Sequence, residues 1–237
     1  MMHDLRARFD HGADHYDLLV SLNPGYHRHL RSAAAELASR LHDVDAPRVL
    51  DLACGSGAST RALVDALPAG ATVHGIDLSR GMLAQAARHT WPPGVSFEQG
   101  RVGNLDTARL GEGSWDAVFA SYLFRNIPEA GRDGALAEVA RLLKPGGHLI
   151  TQEYSVAGSP GADRRWTLVS WSIIIPLGSV VDRDPDLYRY LWRSARRFDS
   201  PAAFMDRIAD AGFRDVRTRT VSGWQRGILH TFAAVRP

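Results

Sequence analysis

Cysteine is almost missing from this chain. Cys54 is the one thiol in 237 residues, so no disulfide can close within the chain, and the reducing cytoplasm is the expected location. Lysine is nearly as scarce, since of 28 basic residues only Lys144 is not an arginine. The arginines are interleaved with 26 acids, giving a formal charge of +2. They form no concentrated basic patch, and no nucleic-acid partner is expected. A lone lysine in a turn also removes the tyrosine–lysine pair that many NAD oxidoreductases use. His11 with His15 and His27 with His29 lack accompanying Cys or carboxylate ligands at metal spacing, so no metal is expected. The opening segment MMHDLRARFDHGADHYD has no apolar core of a signal peptide, and nothing approaches the run of about twenty apolar residues that spans a bilayer.

What the chain does have is Val49-Leu50-Asp51-Leu52-Ala53-Cys54-Gly55-Ser56-Gly57. An apolar run that ends in an acid and a glycine turn specifies a nucleotide-binding strand, loop and helix. In a dinucleotide fold a third glycine follows; here that position is Thr60. The pattern DxAxGxG points instead to S-adenosylmethionine (SAM), with product S-adenosylhomocysteine (SAH). Gly55 and Gly57 would leave backbone bare beside the ligand, and Asp51 would meet its amino group. A second acid, Asp77, closes the apolar run after His74 and lies twenty residues beyond Gly57. That is the place for a carboxylate accepting from both ribose hydroxyls.

Apolar residues make up 45% and charged residues 23%, which suits one soluble globular domain over 1–237. Strands are expected at 48–52, 71–76, 95–99, 115–120 and 148–154, alternating with helices at 59–66, 80–88 and 129–143. The segment Leu143-Lys144-Pro145-Gly146-Gly147 stops the last helix. A helical insertion at 161–198, a helix at 201–211 and closing strands at 215–219 and 227–234 follow. The expected fold is α/β: a Rossmann-like, seven-stranded, mostly parallel sheet with an antiparallel edge strand, helices on both faces, and a helical cap over 1–45. Ligand should sit at the carboxyl ends of the first, second and fourth strands. The most apolar stretch, Trp166 to Val181, is broken by Pro176 and Gly178 and reads foremost as a buried helix. A lid over a pocket and a lipid-touching surface are the other readings.

These residues, with Trp115-Asp116-Ala117-Val118 and Ala211-Gly212-Phe213, resemble a class I SAM-dependent methyltransferase. Phe124-Arg125-Asn126-Ile127-Pro128, Tyr188-Arg189-Tyr190-Leu191 and the closing Gly223 to His230 narrow the resemblance to the ubiquinone/menaquinone biosynthesis C-methyltransferases. Tyr16-Asp17 and Gly25-Tyr26-His27-Arg28 agree, so the resemblance covers nearly the whole chain. It implies SAM bound by Asp51, Ala53, Gly55, Gly57, Asp77, Leu78, Met82, Val102 and Ser121. It implies an apolar aromatic acceptor at Tyr16, His27, Asn126, Trp171, Tyr188 and Tyr190. Arg125 would stabilise a phenolate and His230 would accept its proton. A transient membrane-surface contact and a homodimer remain open. The family usually carries Asp or Asn where this chain has Arg101, beside the adenine. The alternatives are a methyltransferase for a specialised aromatic or terpenoid metabolite, and a SAM-fold protein repurposed as a cyclase or binding module.

Overall fold

The computed structural model of the chain describes residues 25–181 and 185–237. Its centre is a seven-stranded sheet of order β3-β2-β1-β4-β5-β7-β6. The strands are β1 (Arg48–Leu52), β2 (Thr72–Asp77), β3 (Val95–Gln99), β4 (Trp115–Ser121), β5 (Leu143–Tyr154), β6 (Arg214–Thr220) and β7 (Leu229–Val235). The pairings of β1 with β2 and β4, of β2 with β3 and of β4 with β5 are parallel, whereas β7 pairs antiparallel to both β5 and β6. The antiparallel element thus lies at the predicted edge, as β7 inserted one strand in from β6.

Alternate side chains of one strand fall on opposite faces, and the two cores follow that rule. Leu50, Val118, Ala120, Leu149 and Phe232 join one core, while Val49, Ala117, Phe119, Ile150 and Ala233 join the other. The first is covered by α5 (Glu129–Leu142) and α9 (Pro201–Asp210), and the second by α1 (Tyr26–Arg40) and α2 (Ala58–Ala66). Burial on both faces explains why β1 and β4 read as continuous apolar runs. Edge strand β6 carries Arg214, Arg217 and Arg219, all exposed, which discourages pairing with another sheet edge. The short helices α3 (Arg80–Ala86) and α4 (Thr107–Leu110) complete the alternation.

The segment from Leu143 stops the helix as expected, α5 ending at Leu142, but β5 begins at once at Leu143 and not at 148. Its partner changes from Leu143 opposite Trp115 to His148 opposite Ala117, so the Lys-Pro-Gly-Gly residues form an irregularity within the strand. The stretch from Trp166 is not uniformly buried. Helix α6 (Pro160–Val169) passes through a π-type segment, Ser170–Ile174, into α7 (Ile175–Val181). Pro176 has no N–H to donate back along a regular helix, and a widened turn just before it accommodates that loss. Trp166 and Ile175 are buried, but Leu168, Trp171, Ile173, Leu177 and Val180 are exposed. Gly178 lets α7 approach α8 (Pro185–Arg197), since a Cβ there would stand 2.2 Å from a ring atom of Tyr188.

Candidate active site

The strand order reverses between β1 and β4, because β1 leads to β2 on one side while β4 and β5 lie on the other. In an open α/β sheet a cleft opens there, at the carboxyl ends. A cavity occupies that position, with a wall formed by Ala53 after β1, Asp77 to Ser79 after β2, Gly100 to Val102 after β3 and Ser121 to Leu123 after β4. Tyr26 of α1, Ser59, Met82 and the Arg125-Asn126-Ile127 segment complete it.

One carboxylate ties the first two loops together. Asp77 Oδ2 accepts from the Gly55 backbone N–H at 2.9 Å and Oδ1 from that of Ser79 at 2.8 Å. Ser79 in turn caps α3, its hydroxyl accepting from Met82 N–H at 3.1 Å. Ala53 (φ 58°) and Tyr122 (φ 62°) both occupy the left-handed region next to strand ends. An aromatic residue there is held against its preference. The strained turn stacks the Tyr122 ring between Tyr26, at 5.6 Å, and Tyr154, at 5.1 Å.

Asp51 lies beneath this wall, fully buried. Its Oδ2 accepts from Ser59 Oγ at 2.8 Å and Thr60 Oγ1 at 2.6 Å, while Oδ1 has no hydrogen-bond partner among the described residues. Burial pushes its carboxyl up to about 7, with the nearby Asp77 charge also raising it, against the two hydroxyl hydrogen bonds. The two glycines of the turn serve different ends. A Cβ on Gly55 (φ 55°) would meet nothing within 4 Å, whereas one on Gly57 (φ 97°) would stand 2.8 Å from Trp91. Gly57 therefore also admits the Trp91 ring. Cys54 is buried and packs against Gly75.

Of the residues expected to hold the cofactor, Ala53, Asp77, Leu78, Met82, Val102 and Ser121 line the cavity, and Asp51, Gly55 and Gly57 are not part of its wall. Of those expected at the acceptor, Asn126 lines it. Tyr190 is one residue removed, its hydroxyl donating to Asn126 Oδ1 at 3.0 Å. The other three that can be placed are not in the wall. His27 is exposed, since α1 turns it away from the face on which its neighbour Tyr26 meets the cavity. Trp171 is 48% exposed and meets Trp192 edge-on, and Tyr188 is buried against Gly178. Tyr16 lies outside the described residues. Tyr26, Tyr122 and Leu123 were missed, because nothing in a sequence window marks a left-handed tyrosine or the helix face that a sheet end will meet. Arg101 lines the wall beside Gly100.

Arg125 reaches the wall from a 3₁₀ turn, Phe124–Asn126, that follows β4. Its Nη1 donates to Ser194 Oγ at 2.6 Å, and its Nε stands 3.8 Å from Glu153 Oε2. His230 does not accompany it. The ring sits on β7 opposite Glu153, one strand beyond β5, and is absent from the cavity wall. Burial lowers its pKa. The insertion of β7 beside β5 sets His230 opposite Glu153 and outside the wall that Arg125 lines.

A model of the ubiE/COQ5 methyltransferase family matches residues 3–235. The chain belongs to that family. It is 34% identical over 220 residues to the "Ubiquinone/menaquinone biosynthesis C-methyltransferase UbiE" of Nitrobacter hamburgensis, covering 91% of this chain and 85% of the relative. It is 37% identical over 216 residues to the protein of the same name from Methylobacterium nodulans, covering 89% and 83%. In fold it is similar to the magnesium protoporphyrin IX methyltransferase of Synechocystis solved with bound SAH, with a TM-score of 0.68, 18% identity and full coverage of both chains.

The protein is therefore a SAM-dependent methyltransferase, and its residues fit the cofactor. The open space at Gly55, the unpartnered Ser121 Oγ in the wall and the unpartnered Asp51 Oδ1 behind it are the features such a ligand would complete. Asp51 adds a testable sign. A ligand ammonium near Oδ1 favours the carboxylate, so binding expels the proton that burial retains. SAH affinity is expected to rise by up to about tenfold per pH unit below neutrality and to level off above it. Calorimetry in buffers of different ionisation heat should detect about one proton released at pH 6 and almost none at pH 9. Asp51→Asn should abolish both effects, and a pH-independent parent would refute the contact.

Proposed function

We propose that the protein methylates a ring carbon of an aromatic quinol bearing an apolar tail, as the names of its relatives suggest for those proteins. The observation that carries this reading is Arg125, a cation whose side chain is only 6% exposed, set in the cavity wall next to Asn126 and Ile127. A buried guanidinium beside an aromatic cleft suits an acceptor that develops negative charge on oxygen.

Bound in the cavity, SAM supplies an electrophilic methyl group. Asp77 and the Gly55 loop hold and orient it, and Tyr26 stacked on Tyr122 shields the cleft from water. The Arg125 guanidinium stabilises the ionised acceptor oxygen, whose electron density then reaches the adjacent ring carbon. A guanidinium is no base near neutral pH, so the acceptor's hydroxyl proton goes to solvent as the acceptor enters. Methyl transfer breaks the sulfur–methyl bond and leaves SAH, and the hydrogen of the methylated ring carbon then leaves as a proton. Asn126 is fixed at both ends of its amide, donating to Tyr122 O at 2.7 Å and accepting from Tyr190. It thereby sets the position of the loop that presents Arg125.

The exposed apolar side chains of α6, α7 and the π-type segment between them would meet the lipid surface in which such an acceptor dissolves. The test supplies methyl-labelled SAM with short-tailed demethylmenaquinol, free or in phosphatidylcholine vesicles. Transfer to the quinol is expected in both, and Trp171→Ser with Ile173→Ser should slow only the vesicle reaction. Transfer to small phenols but never to the quinol would instead favour a specialised metabolite as acceptor.

A further inference from the structure

Beneath the cavity, Glu153 is fully buried in β5 and lies outside the wall. Its Oε1 accepts from the Phe124 backbone N–H at 2.5 Å, and the backbone N–H groups of Leu123 and Arg125 also point at this carboxyl. These three residues enter the turn that delivers Arg125. The other oxygen, Oε2, has no hydrogen-bond partner among the described residues. Facing it at 3.8 Å is Arg125 Nε, which is buried and equally unpartnered. Two orphaned groups of opposite charge separated by less than an ångström beyond hydrogen-bond reach are costly as they stand. A small swing of the guanidinium would join them.

We propose that Glu153 is a positioning residue for methyl transfer: one oxygen fixes the turn that carries Arg125, and the other sets the direction in which the guanidinium meets the acceptor oxygen. The inference rests on the reading of Arg125 given above. It differs from a purely structural ion pair in that Nη1 is anchored separately on Ser194, so the side chain has a second hold and Glu153 governs its angle. The groups facing the carboxyl are Arg125 from the turn and Tyr190 from α8, and His230 of β7 is the residue opposite Glu153 in the strand register. Burial raises the Glu153 carboxyl to about 7 against the opposing influence of Arg125 and the three backbone N–H groups. Its ionisation therefore falls in the working pH range, and the hold on Arg125 strengthens as pH rises through neutrality.

Glu153→Gln keeps an oxygen for the turn and removes the charge opposite Nε. With short-tailed demethylmenaquinol as probe, kcat is expected to fall about ten- to a hundredfold, the effect of losing a charge-assisted hydrogen bond. SAH affinity should stay at the parental value, and the rise of kcat through neutral pH should disappear. In an Arg125→Lys background, which has no Nε, the same substitution should cause almost no further loss. Absorbance titration of 2-naphthol into the SAH complex reads the same cycle without turnover, as a lost preference for naphtholate. Parental rates in Glu153→Gln beside a slow Arg125→Lys would overturn this inference alone, as would losses that multiply in the double variant. Parental rates in Arg125→Lys would overturn the reading of Arg125 on which it stands. Should Glu153→Gln not fold, Glu153→Asp, whose carboxyl is one methylene further from Nε, carries the same cycle with a smaller expected loss.

Discussion

Asp77→Ala is expected to weaken SAH binding by about 1.5–3 kcal/mol, the range for hydrogen bonds to a charged group, or roughly ten- to a hundredfold. Two losses combine. The first is the pair of ribose contacts that a carboxylate at the end of β2 offers. The second is internal, because Asp77 accepts from Gly55 N–H and Ser79 N–H and so joins the β1 loop to the β2 loop. Asp77→Asn retains one acceptor oxygen and should fall between the parent and the alanine variant. Isothermal calorimetry checks the order. Equal affinity in all three proteins, or tighter binding of NAD than of SAH, would remove Asp77 from the cofactor site.

The part of this molecule that was legible in its sequence is the part whose geometry is local. A buried parallel strand must be apolar on both faces, so Val49–Leu52 and Ala117–Ala120 stand out, and the loop after each lies at a known end of the sheet. Asp77 could be placed in the wall because it closes such a strand, and Met82, Val102 and Ser121 because the family resemblance implied them. What depends on how distant elements pack was not legible: the strand beside β5 sets His230 opposite Glu153 and outside the cavity wall, and no window of sequence encodes that order. Tyr188 and Trp171 carry the aromatic content expected of a pocket, yet helical phase and the bare surface of Gly178 send one into a helix contact and the other to solvent. Glu153, in the strand Thr151-Gln152-Glu153-Tyr154, offers the sequence reader an acid that could pair with Arg125, but its burial against the Phe124–Asn126 turn is visible only in the fold.

The largest effect on catalysis is expected at Arg125. Arg125→Lys should lower the rate of methyl transfer by about ten- to a thousandfold, the span measured when a donor to a developing oxyanion is lost, while SAH affinity stays at the parental value. Lysine preserves the charge but offers a compact ammonium in place of a planar fork, and that fork is what the site uses. Nη1 is held by Ser194 at 2.6 Å, the ring faces of Tyr122 and Tyr154 lie 5.8 and 5.9 Å from the guanidinium carbon, and the residue lines the cavity. A lysine side chain can satisfy Ser194 or reach toward the acceptor, but its single nitrogen cannot do both. The deficit should therefore fall on kcat more than on KM, because the interaction strengthens as the acceptor oxygen gains charge. A structural role makes the opposite forecast. If Arg125 served only to neutralise Glu153, the lysine variant would melt at a lower temperature and turn over at the parental rate. Single-turnover kinetics beside thermal melts separate the two outcomes, and unchanged rates from pH 6 to 9 would leave positioning of the substrates as the whole of catalysis.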